Sequence, residues 1–111
     1  MSMTDRELLE LAAKAAGRDV VWRNKMSGGQ MREGLYDAST GIATTWNPLT
    51  DDGDALRLAV KLGIYYRLYD DYVSTSFGNG EVFCEEFNDD PYAATRRAIV
   101  RAAAEIGRGM E

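Results

Sequence analysis

Apolar residues recur at helical spacing in three stretches of the chain and alternate with polar ones in several short stretches between them. In the first stretch Leu8, Leu11, Ala12 and Ala15 share one face, which Leu9 and Ala16 widen. Thr4 followed three residues later by Glu7 predicts a capping box at its start, and Gly17 supplies the stop. In the second stretch Ala55, Leu58, Ala59 and Leu62 form the stripe. Thr50 or Asp51 can cap it, and Asp51, Asp52 and Asp54 place negative charge where the helix dipole favours it. In the third, Asp90 before Pro91 is a strong start signal, and Thr95, Ile99, Ala102 and Ile106 form the buried stripe. Arg96, Arg97, Arg101, Glu105 and Arg108 then face water, and Gly107 ends the helix. The spacing predicts helices over 4–16, 51–62 and 91–106.

The strand signals fall between these helices. Val20-Val21-Trp22 reads as a short strand, and the polar segment 23–33, with Gly28-Gly29 inside it, as a loop or hairpin tip. Gly34-Leu35-Tyr36 and residues 42–46 read as two strands joined by a turn at 37–41, and Pro48 ends the second. Residues 64–69 are apolar at nearly every position, the pattern of a strand covered on both faces. Asp70-Asp71 turns the chain into an alternating strand at 72–77, and Gly78-Asn79-Gly80 turns it again into a strand at 82–87. The order α-β-β-β-α-β-β-β-α predicts one domain over residues 1–111, of the α+β class. We expect a three-layer α/β/α sandwich built on one mainly antiparallel sheet with three helices, with a two-layer α/β arrangement as the alternative. Leu8, Leu11, Leu58, Leu62, Ile64, Tyr66, Leu68, Val82, Ile99 and Ile106 are the expected core.

Composition narrows the setting. The chain has 111 residues, 45% of them hydrophobic, enough for a self-sufficient core. Its net charge of -5 works against non-specific binding to nucleic acid or to an anionic membrane. A single cysteine, Cys84, permits no internal disulfide. The opening Thr4-Asp5-Arg6-Glu7 does not read as a signal peptide, and no apolar run reaches the roughly 20 residues that span a bilayer. The expectation is a cytoplasmic protein without membrane contact.

Three segments carry a family resemblance. The run from Thr4 to Gly17, the run Trp46-Asn47-Pro48-Leu49-Thr50-Asp51-Asp52-Gly53-Asp54 with the helix that follows it to Leu62, and the closing run from Ala94 to Ala103 resemble small phage and prophage proteins of unknown function. The chain is similar to the family described as the phage αβα-sandwich domain. The resemblance implies a fold, a phage-derived origin and a bacterial host cytoplasm; it carries no activity, cofactor or catalytic residue.

The residues themselves suggest little chemistry. Carboxylates cluster at Asp51/Asp52/Asp54, Asp70/Asp71, Glu85/Glu86 and Asp89/Asp90, but no segment has the ligand spacing of a calcium loop, and caps and turns account for most of them. The chain has no histidine, the commonest catalytic proton carrier. Cys84 sits mid-strand after Val82-Phe83 and reads as a buried, inert thiol. Gly28-Gly29 lacks the pattern and lysine of a phosphate loop. No catalytic, cofactor-binding or metal-ligating residue is therefore assigned, and no cofactor is expected.

Two surfaces remain. Tyr65, Tyr66, Tyr69, Tyr72 and Phe77 concentrate on one predicted hairpin. Tyr65, Tyr69 and Tyr72 are the candidate contacts for a protein partner or for a homo-oligomer, because tyrosine suits surfaces with one wet end. Arg97, Arg101 and Arg108 lie on one side of the last helix and are the candidate nucleic-acid contacts of an alternative, regulatory reading. The three aspartates opening the second helix and the acidic net charge argue against that alternative.

Overall fold

Three helices and five strands follow one another in the computed structural model, which describes residues 3–110. They are α1 (Asp5–Ala15), β1 (Val20–Ser27), β2 (Gln30–Asp37), α2 (Asp52–Leu62), β3 (Tyr65–Leu68), β4 (Tyr72–Ser76), β5 (Phe83–Glu86) and α3 (Pro91–Arg108). The class is α+β, as expected, and each helix lies where the apolar spacing predicts it.

The caps form as the sequence dictates. Thr4 Oγ1 accepts from the Glu7 N–H while Glu7 Oε1 accepts from the Thr4 N–H, both at 3.2 Å. The bonds from the Thr4 backbone and hydroxyl hold the Glu7 carboxyl below its ordinary range. Asp51 caps α2 by accepting from the Asp54 N–H at 2.8 Å, and Gly63 ends it in the left-handed region at φ 68°. Asp90 caps α3 through the Ala93 N–H at 3.0 Å, with Pro91 in the first turn.

The strands form two antiparallel sheets, which corrects the expectation of one. β1 pairs with β2 from Val20↔Asp37 to Ser27↔Gln30, so the polar segment 23–33 extends a long hairpin around a Gly28-Gly29 tip. β3, β4 and β5 form the second sheet in that order. The strand expected at 42–46 is absent apart from one bridge, Tyr36↔Ala43. Two backbone bonds to β2 remain, from the Asp37 N–H to the Ile42 carbonyl and from the Thr44 N–H to the Leu35 carbonyl, and side chains take up neighbouring groups. Asp37 Oδ1 accepts from the Ser39 and Thr40 N–H groups, Thr44 Oγ1 from Trp46, and Asn47 Oδ1 from Leu49.

The centre of the molecule is α3 rather than a sheet. It packs most extensively on α1, and also on α2, β4 and β5. Its buried residues, Ala94, Ala98, Ile99, Val100, Ala102, Ala103, Ala104 and Gly107, run well round the helix instead of along one stripe. Small residues let neighbours approach from several sides. The limit is Gly107, where an added Cβ would stand 2.0 Å from the Leu11 carbonyl oxygen. Gly107 therefore does not end α3; it lets α3 touch α1, and the helix runs on to Arg108 with Gly109 as its cap.

Three arginines of α3 clamp the elements around it. Arg96 donates from Nε to the Leu49 carbonyl at 2.8 Å and from Nη1 to Asp52 at 2.6 Å, tying down the start of α2. Arg97 pairs with Asp5 of α1 at 3.0 Å. Arg101 pairs with Glu85 of β5 and donates to the Cys84 carbonyl at 3.0 Å. Arg96 is thus a half-buried clamp where the periodicity predicts a solvated side chain.

Candidate functional site: the open hairpin

The three-stranded sheet has one helix to cover it, and that helix lies over β4 and β5. Val73 packs against Ala94 and Ala98, and the buried Thr75 hydroxyl donates to the Ala98 carbonyl at 2.8 Å. These two residues define the helix side of the sheet. Residues directly opposite in an antiparallel ladder share a face, so Leu68 opposite Val73 and Tyr66 opposite Thr75 belong to the same side. The helix layer stops short of them. Tyr66 is 46% and Leu68 58% exposed, and all four residues of β3 are exposed. The expectation that this strand is covered on both faces is overturned, and with it the core assignments of Tyr66, Leu68 and, at 60% exposed, Val82. Ile64, one residue before the strand, is buried as expected.

The outer face carries the tyrosines. Tyr65 opposite Ser76, Arg67 opposite Ser74, and Tyr72 beside Tyr69 all point away from α3. The Tyr69 and Tyr72 rings stack at 4.5 Å with an interplanar angle of 5°. The Arg67 guanidinium lies 5.3 Å from the Tyr69 ring centroid. Tyr65 is 61% exposed, Tyr69 is exposed and Tyr72 half-buried. The structure therefore brings Tyr65, Tyr69 and Tyr72 onto one face and adds Arg67, which the sequence reading passed over. A shallow recess of ≈ 690 Å³ lies beside Tyr65 and Arg67, and Ser74, Ser76, Gly78 and Val82 help line it.

The backbone of β3 is open as well. Tyr69 donates its N–H to the Tyr72 carbonyl at 2.8 Å, and Phe87 donates to the Asp71 carbonyl on the other side of β4 at 3.0 Å. Alternation along the ladder then turns Tyr65, Arg67 and Tyr69 toward β4, and leaves the N–H and C=O of Tyr66 and Leu68 facing outward. No strand pairs with that edge among the described residues.

The arginines of the alternative reading also come together. Arg97, Arg101 and Arg108 line one cleft of ≈ 420 Å³ with Met3, Leu8, Phe83, Glu85 and Glu105. Each is engaged by a carboxylate: Arg97 by Asp5, Arg101 by Glu85, and Arg108 by Glu105 at 3.6 Å. Arg101 also lies 5.6 Å from the Phe83 ring centroid. The cleft is a balanced ionic cluster around clamping residues.

The run from Trp46 to Asp54 has a structural account. Asp54 accepts from the Asn47 N–H and from Arg57, both at 2.9 Å. Burial alone would raise the Asp54 carboxyl, but the Asn47 and Arg57 hydrogen bonds together hold it below its ordinary range. Trp46 is buried under the Arg18 guanidinium, 5.1 Å from the ring centroid. Cys84, expected inside, is exposed, because it lies opposite Ser74 on the outer face.

Among the described residues no helix is long and apolar enough to cross a membrane. No family model, curated protein or solved structure matches the chain.

Proposed function

We propose that this chain is a non-enzymatic accessory protein of phage origin, of the αβα-sandwich kind that its helices resemble. It works in the cytoplasm of a bacterial host by contact with another protein or a second copy of itself. The observation that supports this reading is the β3–β4 hairpin, whose outer face groups Tyr65, Arg67, Tyr69 and Tyr72. Tyrosine and arginine are the residue types that dominate binding energy at protein interfaces, and their stacked arrangement costs little ordering on contact. The nucleic-acid reading has weaker support, because a phosphate would have to displace a carboxylate from each of Arg97, Arg101 and Arg108.

The test is a triple variant, Tyr65→Ser with Tyr69→Ser and Tyr72→Ser. It should keep the circular-dichroism spectrum of the wild type and lose the protein partner that the wild type retains in affinity purification from host cells. A partner held equally by both sinks the reading. A salt-sensitive shift of DNA or RNA that disappears with Arg97→Ala and Arg101→Ala replaces it with the nucleic-acid regulator.

A further inference from the structure

We infer that β3 pairs antiparallel with β3 of a second copy of this chain, about a two-fold axis at Tyr66, and that this joins two three-stranded sheets into one of six strands. The inference rests on the reading of the hairpin as a contact surface and names its occupant.

The backbone limits the possible registers. Only Tyr66 and Leu68 direct both N–H and C=O to the open edge, so a two-fold ladder has three arrangements: Tyr66 opposite Tyr66, Arg67 opposite Arg67 with Tyr66 opposite Leu68, or Leu68 opposite Leu68. The second sets two guanidinium groups directly across a close, non-hydrogen-bonded pair, where like charges repel. The third requires Tyr66 to pair with Asp70, which lies in the bend where β3 has already ended. The first keeps the ladder within residues 64–68.

Side-chain chemistry agrees with that register. On the outer face each Arg67 meets Tyr65 of the other copy, while its own Tyr69 ring stays beside it at 5.3 Å. On the helix side the two Tyr66 rings adjoin and each exposed Leu68 lies beside position 64 of the other copy, whose Ile64 is already buried, so Tyr66 and Leu68, which α3 leaves uncovered, gain partial cover. Arg67 is the one charged side chain of the strand. This register moves the two Arg67 side chains from directly opposite to diagonal positions about 7–8 Å apart, where their repulsion is weaker.

The other edge of the sheet offers no such pairing. β5 carries Glu85 and Glu86 in its four residues, and the grooves beside it are walled by Met3, Leu8, Asp5, Leu49 and Thr50 of the same chain. A strand approaching it meets acidic charge and a neighbouring segment.

Sedimentation and cysteine trapping test the inference. The wild type should sediment as a dimer of the 12.3 kDa chain. Tyr66→Pro should sediment as a monomer with an unchanged circular-dichroism spectrum, because it removes an outward N–H and no β3–β4 bond. In a Cys84→Ser background, Tyr66→Cys should oxidise to a covalent dimer, since opposite hydrogen-bonded positions lie about 5.5 Å apart, within disulfide reach. Arg67→Cys and Leu68→Cys should not. The trapping series decides the matter even where Tyr66→Pro fails to fold. A monomeric wild type overturns the inference, as does preferential trapping at Arg67 or Leu68. A concentration-dependent ladder of larger species also overturns it, because β3 would then be adding to β5 of the next copy. A monomer that still loses its partner on Tyr65→Ser overturns the dimer alone and leaves the contact function standing.

Discussion

The two edges of the three-stranded sheet are built from strands of equal length and finished in opposite ways. β5 lies beneath α3, with Glu85 held by Arg101 and Phe83 packed against the main core. β3 has no helix above it, and its residues Tyr65, Tyr66, Arg67 and Leu68 are all exposed. Proteins commonly protect a sheet edge with charge, proline, a bulge or a covering segment. The β5 edge has charge and cover, whereas β3 has one arginine. The molecule thus places its single central helix over one edge of the sheet and leaves the other edge available.

That asymmetry depends on α3 keeping its place, and the largest predicted effect attacks it there. Gly107→Ala would drive a methyl group into the Leu11 carbonyl, so α3 and α1 must separate. We expect a loss of about 3 kcal/mol in urea denaturation, toward the high end for overpacking. Stability within about 0.5 kcal/mol of wild type would show that the helices can part cheaply.

The second prediction compares the edges directly. Arg101→Met leaves Glu85 without its partner and the Cys84 carbonyl without its donor. It should cost about 1–2 kcal/mol and speed amide exchange in β5. Arg67→Met, at the exposed edge, should stay within about 0.5 kcal/mol in a protein held monomeric by dilution. Equal losses would erase the distinction between a tied edge and a free one.

Asp90→Ala comes next, at the start of α3. Losing its bond to the Ala93 N–H should cost about 1 kcal/mol, with no dependence on divalent cations. A melting temperature that rises markedly with Mg²⁺ or Ca²⁺, and stops rising in this variant, would show that the carboxylate binds metal as well as capping.

The smallest effect is a pH dependence at the start of α2, which leads into β3. The folded-state carboxyl of Asp54 titrates below its ordinary range, so its contribution is present above that range and is lost as pH falls through the folded value. Asp54→Asn should flatten the acid limb of the stability curve and leave its slope near neutrality unchanged. An unchanged acid limb would remove Asp54 from the account.

Much of this was legible in the chain, and the reason is local. Thr4 with Glu7, Asp51 before its helix and Asp90 before Pro91 act within a turn of themselves, so their caps follow from spacing alone. The strand at 42–46 misled because hydrophobic alternation competes there with Thr40 and Thr44, whose hydroxyls accept from the Ile42 and Trp46 N–H groups and leave only short contacts to β2. The tyrosine face was half legible. Composition marked Tyr65, Tyr69 and Tyr72, but Arg67 joins them only through the ladder register and its approach to Tyr69. The arginines of α3 were read as a solvated row because helical spacing reveals that they share a side and says nothing of which carboxylate waits opposite.

Local signals were enough for the three helices, their N-caps, the α+β class and the hairpin that carries the tyrosines, since each depends on neighbours a few residues away, whereas the end of α3 was not among them. Tertiary structure decided which element sits at the centre. An apolar run at 64–69 and an alanine-rich helix at 91–108 both compete for burial, and hydrophobicity favours the run. Close packing favours the helix, because alanines and Gly107 admit α1, α2 and two strands at short range, while bulky tyrosines cannot be surrounded in the same way. α3 took the core, and β3 was left at the edge.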